Sequence, residues 1–274
     1  MNLSGLAGFE NTFMQLALAG LLLLAPIVAI MGVHAVQMRM AFFSDAISHS
    51  VFAGVAISLL FNVHPQWTMP LFGLLIGIAI MAIRRASTLS TDTVIAVTFS
   101  AVVAFGLAII SRNPGITREL PRFLYGDILT VDTAGLIRLA VCLVGVIVLQ
   151  VIGGNRLLYI GISPVLAAAH GIAVRRYQYL YAALLALVII NALWAVGVLL
   201  VTALLVVPAA AARNLAASTR GLFWWSFAIS ASSSVIGLVL SAQPWARTAS
   251  GPTILLCAFT WFLFSLAANR SRIH

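Results

Sequence analysis

Long apolar runs separated by short polar stretches fill the chain from residue 13 to residue 268. The runs cover residues 13–33, 41–61, 68–83, 92–111, 134–153, 178–194, 196–212, 222–241 and 251–268. Most approach the ~20 residues that an α-helix needs to cross a hydrocarbon core about 30 Å thick. The pattern predicts an all-α polytopic membrane protein with nine transmembrane helices. The sixth and seventh runs are hard to separate, because 178–212 is continuously apolar and only Asn191 and Gly197 suggest a turn. If that stretch forms one broken helix, the count is eight.

Two connections are longer than a turn. In the first, residues 112–133, Pro114, Gly115 and Pro121 break any long helix. The second spans residues 154–177. There Pro164 starts a short helix that runs through Ala169, and Gly171 stops it. A short, alanine-rich, mildly apolar helix facing water calls for something to cover it.

Composition agrees with the pattern. Of 274 residues, 62% are apolar and 8% are charged, more apolar surface than a soluble domain of this length can hide. No polar stretch is long enough for a separate soluble domain, so 1–274 reads as one transmembrane domain. The formal charge of +9 comes entirely from arginine. A basic excess can point to nucleic acid, but these arginines lie in short loops between apolar runs, as the positive-inside rule requires. With the N-terminus outside and the C-terminus cytoplasmic, ten arginines fall inside and five outside. Glu10, Glu119, Asp127 and Asp132 then also fall outside. The absence of lysine excludes a Walker A loop, so ATP hydrolysis is not expected in this chain. Cys142 and Cys257 sit far apart in apolar runs and read as packing residues. The first charge is Glu10, so no cleaved signal peptide is expected.

Candidate chemistry concentrates in RMAFFSDAISHSVFAGVAISLLF. Asp45 and His49 are about one helical turn apart, which puts both side chains on one face. Ionisable groups within a span are costly and mark ion or substrate paths. Carboxylate oxygen and imidazole nitrogen together suit zinc, manganese and similar first-row ions. Two ligands are too few for a cage. Two copies meeting about a symmetry axis would supply two carboxylates and two imidazoles, enough for four-coordinate zinc. Because only neutral imidazole binds metal, acidification should weaken transport. Ser44, Ser48 and Ser50 add polar atoms but equally serve packing. His34 and His64 lie near the ends of the runs, where imidazole is cheap to hold, and His64 could meet an incoming metal from outside. His170 reads as part of a helix end, and His274 is terminal. HExxH, GxSxG and glycine-rich phosphate loops are absent, so an enzyme acting alone is not expected.

Four stretches carry a family likeness: RMAFFSDAISHSVFAGVA (39–56), VGVLLVTALLVVPAAAARNLA (196–216), SGPTILL (250–256) and FLYGDILTV (123–131). From about Leu16 to Ala268 the chain resembles the membrane-spanning permease subunit of bacterial zinc/manganese ABC importers. The resemblance implies a multi-pass permease of the bacterial inner (plasma) membrane that works as a homodimer. Two cytoplasmic ABC ATPase subunits would drive it, and an extracytoplasmic metal-binding protein would deliver Zn2+ or Mn2+, zinc ahead of manganese. The metal is transported substrate, and no permanently bound cofactor is expected. By position, Asp45 and His49 fall where the family places metal-contacting side chains. Ser163, Pro164, Val165, Leu166, Ala167, Ala168, Ala169, His170 and Gly171 fall in its coupling helix to the ATPase. The family usually has acidic residues there, whereas this chain reads ISPVLAAAHGIAV, which implies a more apolar contact or a different kind of ATPase.

Three rival readings remain. A vitamin B12- or siderophore-type ABC permease would need a wide cavity without charged ligands at mid-depth. A proton-coupled secondary metal transporter would show inverted repeats and broken helices. A structural membrane subunit would tolerate loss of Asp45.

Overall fold

The computed structural model describes residues 11–61, 63–112, 128–243, 245 and 248–273. Nine long helices follow one another: α1 (Thr12–Gln37), α2 (Phe43–Leu60), α3 (Pro65–Ala86), α4 (Thr91–Ile110), α5 (Thr133–Ile162), α7 (Val174–Val196), α8 (Val198–Leu215), α9 (Thr219–Ser241) and α10 (Ser250–Ile273). A six-residue helix, α6 (Pro164–Ala169), lies between α5 and α7, and a 3-10 turn covers Ile128–Thr130. Among the described residues no strand forms. Every apolar run has its helix. By length and composition seven of the long helices can cross a membrane, all but α2 and α8. Those two have 18 residues each, about 27 Å at 1.5 Å per residue. The reading of residues 113–127, with Pro114, Gly115, Pro121 and most of FLYGDILTV, lies outside the described residues, as does His274.

The apolar stretch 178–212 forms two helices. Val196 ends α7 and Val198 begins α8, with Gly197 between them at φ 82°. Residues with a Cβ rarely adopt that backbone, so the glycine makes the reversal. Asn191 does not turn the chain. It stays inside α7 and its side chain donates to the Leu187 carbonyl. The second connection is shorter than 154–177, because α5 continues to Ile162. Gly153 and Gly154 do not stop it, since a glycine in a helix costs only about 1 kcal/mol. At 30 residues α5 is about 45 Å long, more than the hydrocarbon core spans.

Helix α1 packs among α5, α8 and α9, while α2 packs between α3 and α4 with α7 and α8 alongside. The closest crossing is at Gly32, where an added Cβ would lie 2.0 Å from the Leu205 carbonyl oxygen of α8. That contact is with backbone, which cannot swing aside. Gly32→Ala should therefore destabilise the fold by roughly 1–3 kcal/mol, read as a lower melting temperature in detergent. Small residues at helix crossings are the usual way for membrane helices to approach closely. At the residue just before Gly32, the Tyr181 hydroxyl donates to the Met31 carbonyl at 2.7 Å in a fully buried contact, tying α7 to α1.

Candidate metal-transit site

The site begins at the turn between α1 and α2. Arg39 adopts φ 55°, and the Met40 N–H donates back to the Ala35 carbonyl at 2.8 Å. The fully buried side chains of Met40 and Phe43 then lock the start of α2. Gly77 of α3 lies against the Phe43 ring, Gly73 against Ile47, and the Gly54 position of α2 against Met69. These contacts make α2 and α3 antiparallel and set Asp45 about midway along α3. The alignment of the two helices thus fixes the level of Asp45 along the bundle.

Asp45 and His49 are both half-buried on α2. His49 Nδ1 lies 2.9 Å from the Asp45 backbone carbonyl. A carbonyl only accepts, so Nδ1 carries the proton, and in the neutral ring the lone pair sits on Nε2. The ring meets the Phe99 ring of α4 edge to face at 5.2 Å, which helps hold its orientation. The Asp45 carboxylate accepts a hydrogen bond from the Thr202 side chain of α8. Asp45, Thr202, Phe42 and Val206 line one cavity of about 230 Å³. Its rim is open, with Phe42 62% exposed. Asp45 therefore opens into this cavity, whereas His49 is not among its lining residues and turns toward Phe99.

The serines behave differently. Ser44 and Ser50 are fully buried and donate to their own helix, at Ala41 and Ile47. They pack α2 and do not face a path.

Thr202 is the residue that sequence reasoning missed. Its signal was present as a lone hydroxyl in the apolar run VGVLLVTALLVVP. Nothing in the pattern said that this hydroxyl meets Asp45 across two helices. Thr202→Val keeps the volume and removes the donor. It should lower metal uptake about tenfold, the loss typical for a group that orients a metal ligand, while Thr202→Ser should retain most of it.

His34 needs a correction. The sequence places it near a membrane end, where imidazole is cheap to hold, but it is 1% exposed. Its Nε2 lies 2.8 Å from Gln150 Oε1 of α5, and Tyr181 and Phe223 meet its ring edge to face. The helix continues past residue 33 to Gln37, which carries His34 into the bundle. It does not join Asp45 and His49. Among the described residues no group of three His, Cys, Asp or Glu side chains could hold a metal.

His64 is exposed at the end of the bundle toward which α2 runs. Its Nδ1 accepts from the Gln66 N–H at 3.3 Å and caps α3, with Pro65 at the first helical position. Cys142 and Cys257 are both free thiols.

Helix α6 has a complete set of stops. Ser163 Oγ accepts the Leu166 N–H at 3.3 Å, and Pro164 opens the helix. His170 Nδ1 donates to the Leu166 carbonyl at 2.8 Å, and Gly171 leaves at φ 75°. Ala167 is fully buried and anchors the helix, while Val165 and Leu166 are 78% and 58% exposed. Ala168, Ala169, His170 and Gly171 are exposed too. Among the described residues nothing covers this apolar face.

The model of the ABC 3 transport family matches residues 10–269. The chain belongs to that family. It is 31% identical over 258 residues to the high-affinity zinc uptake system membrane protein ZnuB of Haemophilus influenzae, covering 94% of this chain and 97% of that one. It is 35% identical over 266 residues to the manganese import system permease protein ScaB of Streptococcus gordonii, covering 96% and 93%. Among solved structures, PsaBC from Streptococcus pneumoniae in complex with Fab superposes with a TM-score of 0.81 at 31% identity, covering 97% of this chain and 95% of that one. As a member of the ABC 3 transport family, the chain is a multi-pass membrane permease and not an enzyme, with ATP hydrolysis in a separate subunit.

Proposed function

We propose that this ABC 3 permease imports a divalent transition metal, zinc ahead of manganese, along a path between two copies of the chain. All of 1–274 serves as one transmembrane domain of nine spans, with the N-terminus outside. The observation that carries this reading is the Asp45 carboxylate in an open-rimmed cavity, with the His49 imidazole one turn farther along the same helix. One chain supplies two ligands, and a second copy facing it across a two-fold axis would bring the total to four. An incompletely caged ion suits transit, because a substrate held too tightly cannot leave. Relatives named for zinc and for manganese both support the class of cargo. Carboxylate and imidazole serve either ion.

A binding protein docks on the outer loops and releases metal near His64 into this path. Two ATPase subunits, engaged through residues 163–171, drive the halves between outward-open and inward-open states. The site cavity of about 230 Å³ has room for an ion and a few waters and not for a corrinoid or siderophore. The test is radiolabelled uptake, with zinc and manganese measured separately, in cells expressing Asp45→Ala or His49→Ala. Normal expression with unchanged uptake of both ions would remove the assignment.

A further inference from the structure

We propose that a second cavity, at the end of the bundle that carries α6, binds the phosphate of a phospholipid headgroup. The cavity is about 470 Å³ and lies where the ends of α1, α5 and α8 meet the start of α9. Its polar side chains are Gln37, Arg39 and Arg213, and no carboxylate lines it. Among the described residues the one ion pair joins Arg138 to Asp132, elsewhere in the fold. Among the described residues, two exposed arginines therefore line one cavity with no carboxylate beside them. An anion between them removes their repulsion and accepts from both.

Two further observations narrow the anion. The Oε1 atom of Gln37 is buried and has no protein donor. A bare anion would leave it unsatisfied, whereas a headgroup with a hydroxyl or ammonium beside its phosphate supplies the donor. Arg39 is held in the left-handed backbone region, φ 55°, which a residue with a Cβ adopts only when its surroundings enforce it. Here the enforcing contact is the Met40 to Ala35 hydrogen bond that follows it.

The depth of the cavity favours a lipid over a soluble anion or an acidic protein segment. Tyr159 lies within a turn of Gly161, and Trp224 and Trp225 lie within a turn of Leu222; all three aromatic side chains are exposed. Exposed tryptophan and tyrosine gather at the headgroup level of a bilayer. Basic pockets between transmembrane helices at that level hold lipid phosphates. Val36, Ile162 and Leu222 give the same cavity an apolar wall, and Ile162 is 79% exposed, open to an acyl chain.

The experiment is native mass spectrometry of the full-length permease in detergent, titrated with dioleoylphosphatidylglycerol. Combined Arg39→Gln and Arg213→Gln should weaken binding about thirtyfold, at roughly 1 kcal/mol for each lost arginine. Arg213→Gln alone should weaken it about fivefold, and it serves if the double variant fails to fold. Arg85→Gln, an exposed arginine outside the cavity, should leave binding as in the parent. Equal lipid binding by the parent and both cavity variants would overturn the proposal. So would inorganic phosphate displacing the lipid at comparable concentration, which would mark a soluble-anion site. Cavity variants that keep the lipid but lose the copurifying ATPase would overturn it in favour of an acidic protein partner.

Discussion

Asp45→Asn should lower radiolabelled zinc uptake at least about a hundredfold without changing the melting temperature in detergent by more than a few degrees. Asparagine has the size of aspartate, so the packing of α2 against α3 and α4 is preserved. The Thr202 hydroxyl still finds a carbonyl oxygen. What disappears is the negative charge, which a carboxylate ligand contributes to holding a divalent ion and an amide does not. A loss larger than the 10–100-fold typical of groups behind a metal ligand would mark Asp45 as a ligand itself. His49→Ala should act as strongly, because it removes the imidazole that the proposal counts as the second ligand. If Asp45→Asn expresses normally and transports both zinc and manganese like the parent, the carboxylate only ties α2 to α8. The proposed path would then have to lie elsewhere.

Introducing charge on α6 should separate the permease from its ATPase. Val165→Asp with Leu166→Asp places two carboxylates on the most exposed apolar positions of the short helix. The fold should tolerate them, because Ala167 is the residue that anchors α6 and it is untouched. If residues 163–171 dock into the ATPase, the variant should copurify with at least about thirtyfold less ATPase, the cost of spoiling an interface hot spot of 2 kcal/mol or more. The exposed face of α6 is apolar. The parent complex should therefore persist in high salt, which screens charge but not apolar burial. Undiminished copurification of the double variant would remove α6 from the interface.

Much of this protein was written in the order of its residues, because a bilayer imposes simple rules. Each crossing must satisfy its own backbone hydrogen bonds, so a run of some 20 apolar residues has one solution, a helix. That rule located the apolar runs that became the long helices, while the break at Gly197 within 178–212 had to come from the fold. The caps of α6 were equally local. Proline and glycine act on the backbone within a turn of themselves, so Pro164 and Gly171 placed that helix before any packing was known. One-turn spacing likewise put Asp45 and His49 on a common face.

Longer-range features escaped. The end of α5 escaped because two adjacent glycines look like a stop yet cost less than the helix around them gains. His34 escaped because its depth depends on how far α1 continues and on which helices surround it, namely α5, α7 and α9 through Gln150, Tyr181 and Phe223. The Asp45 contact with Thr202, and the meeting of Arg39 with Arg213, join residues more than 150 positions apart. Local periodicity says which way a side chain faces around its own helix, but not which helix it will meet. That choice belongs to packing, to close crossings such as Gly32 on Leu205 and to the alignment of α2 with α3. It took the folded bundle to turn two ionisable residues into a half-open site and two distant arginines into a single cavity.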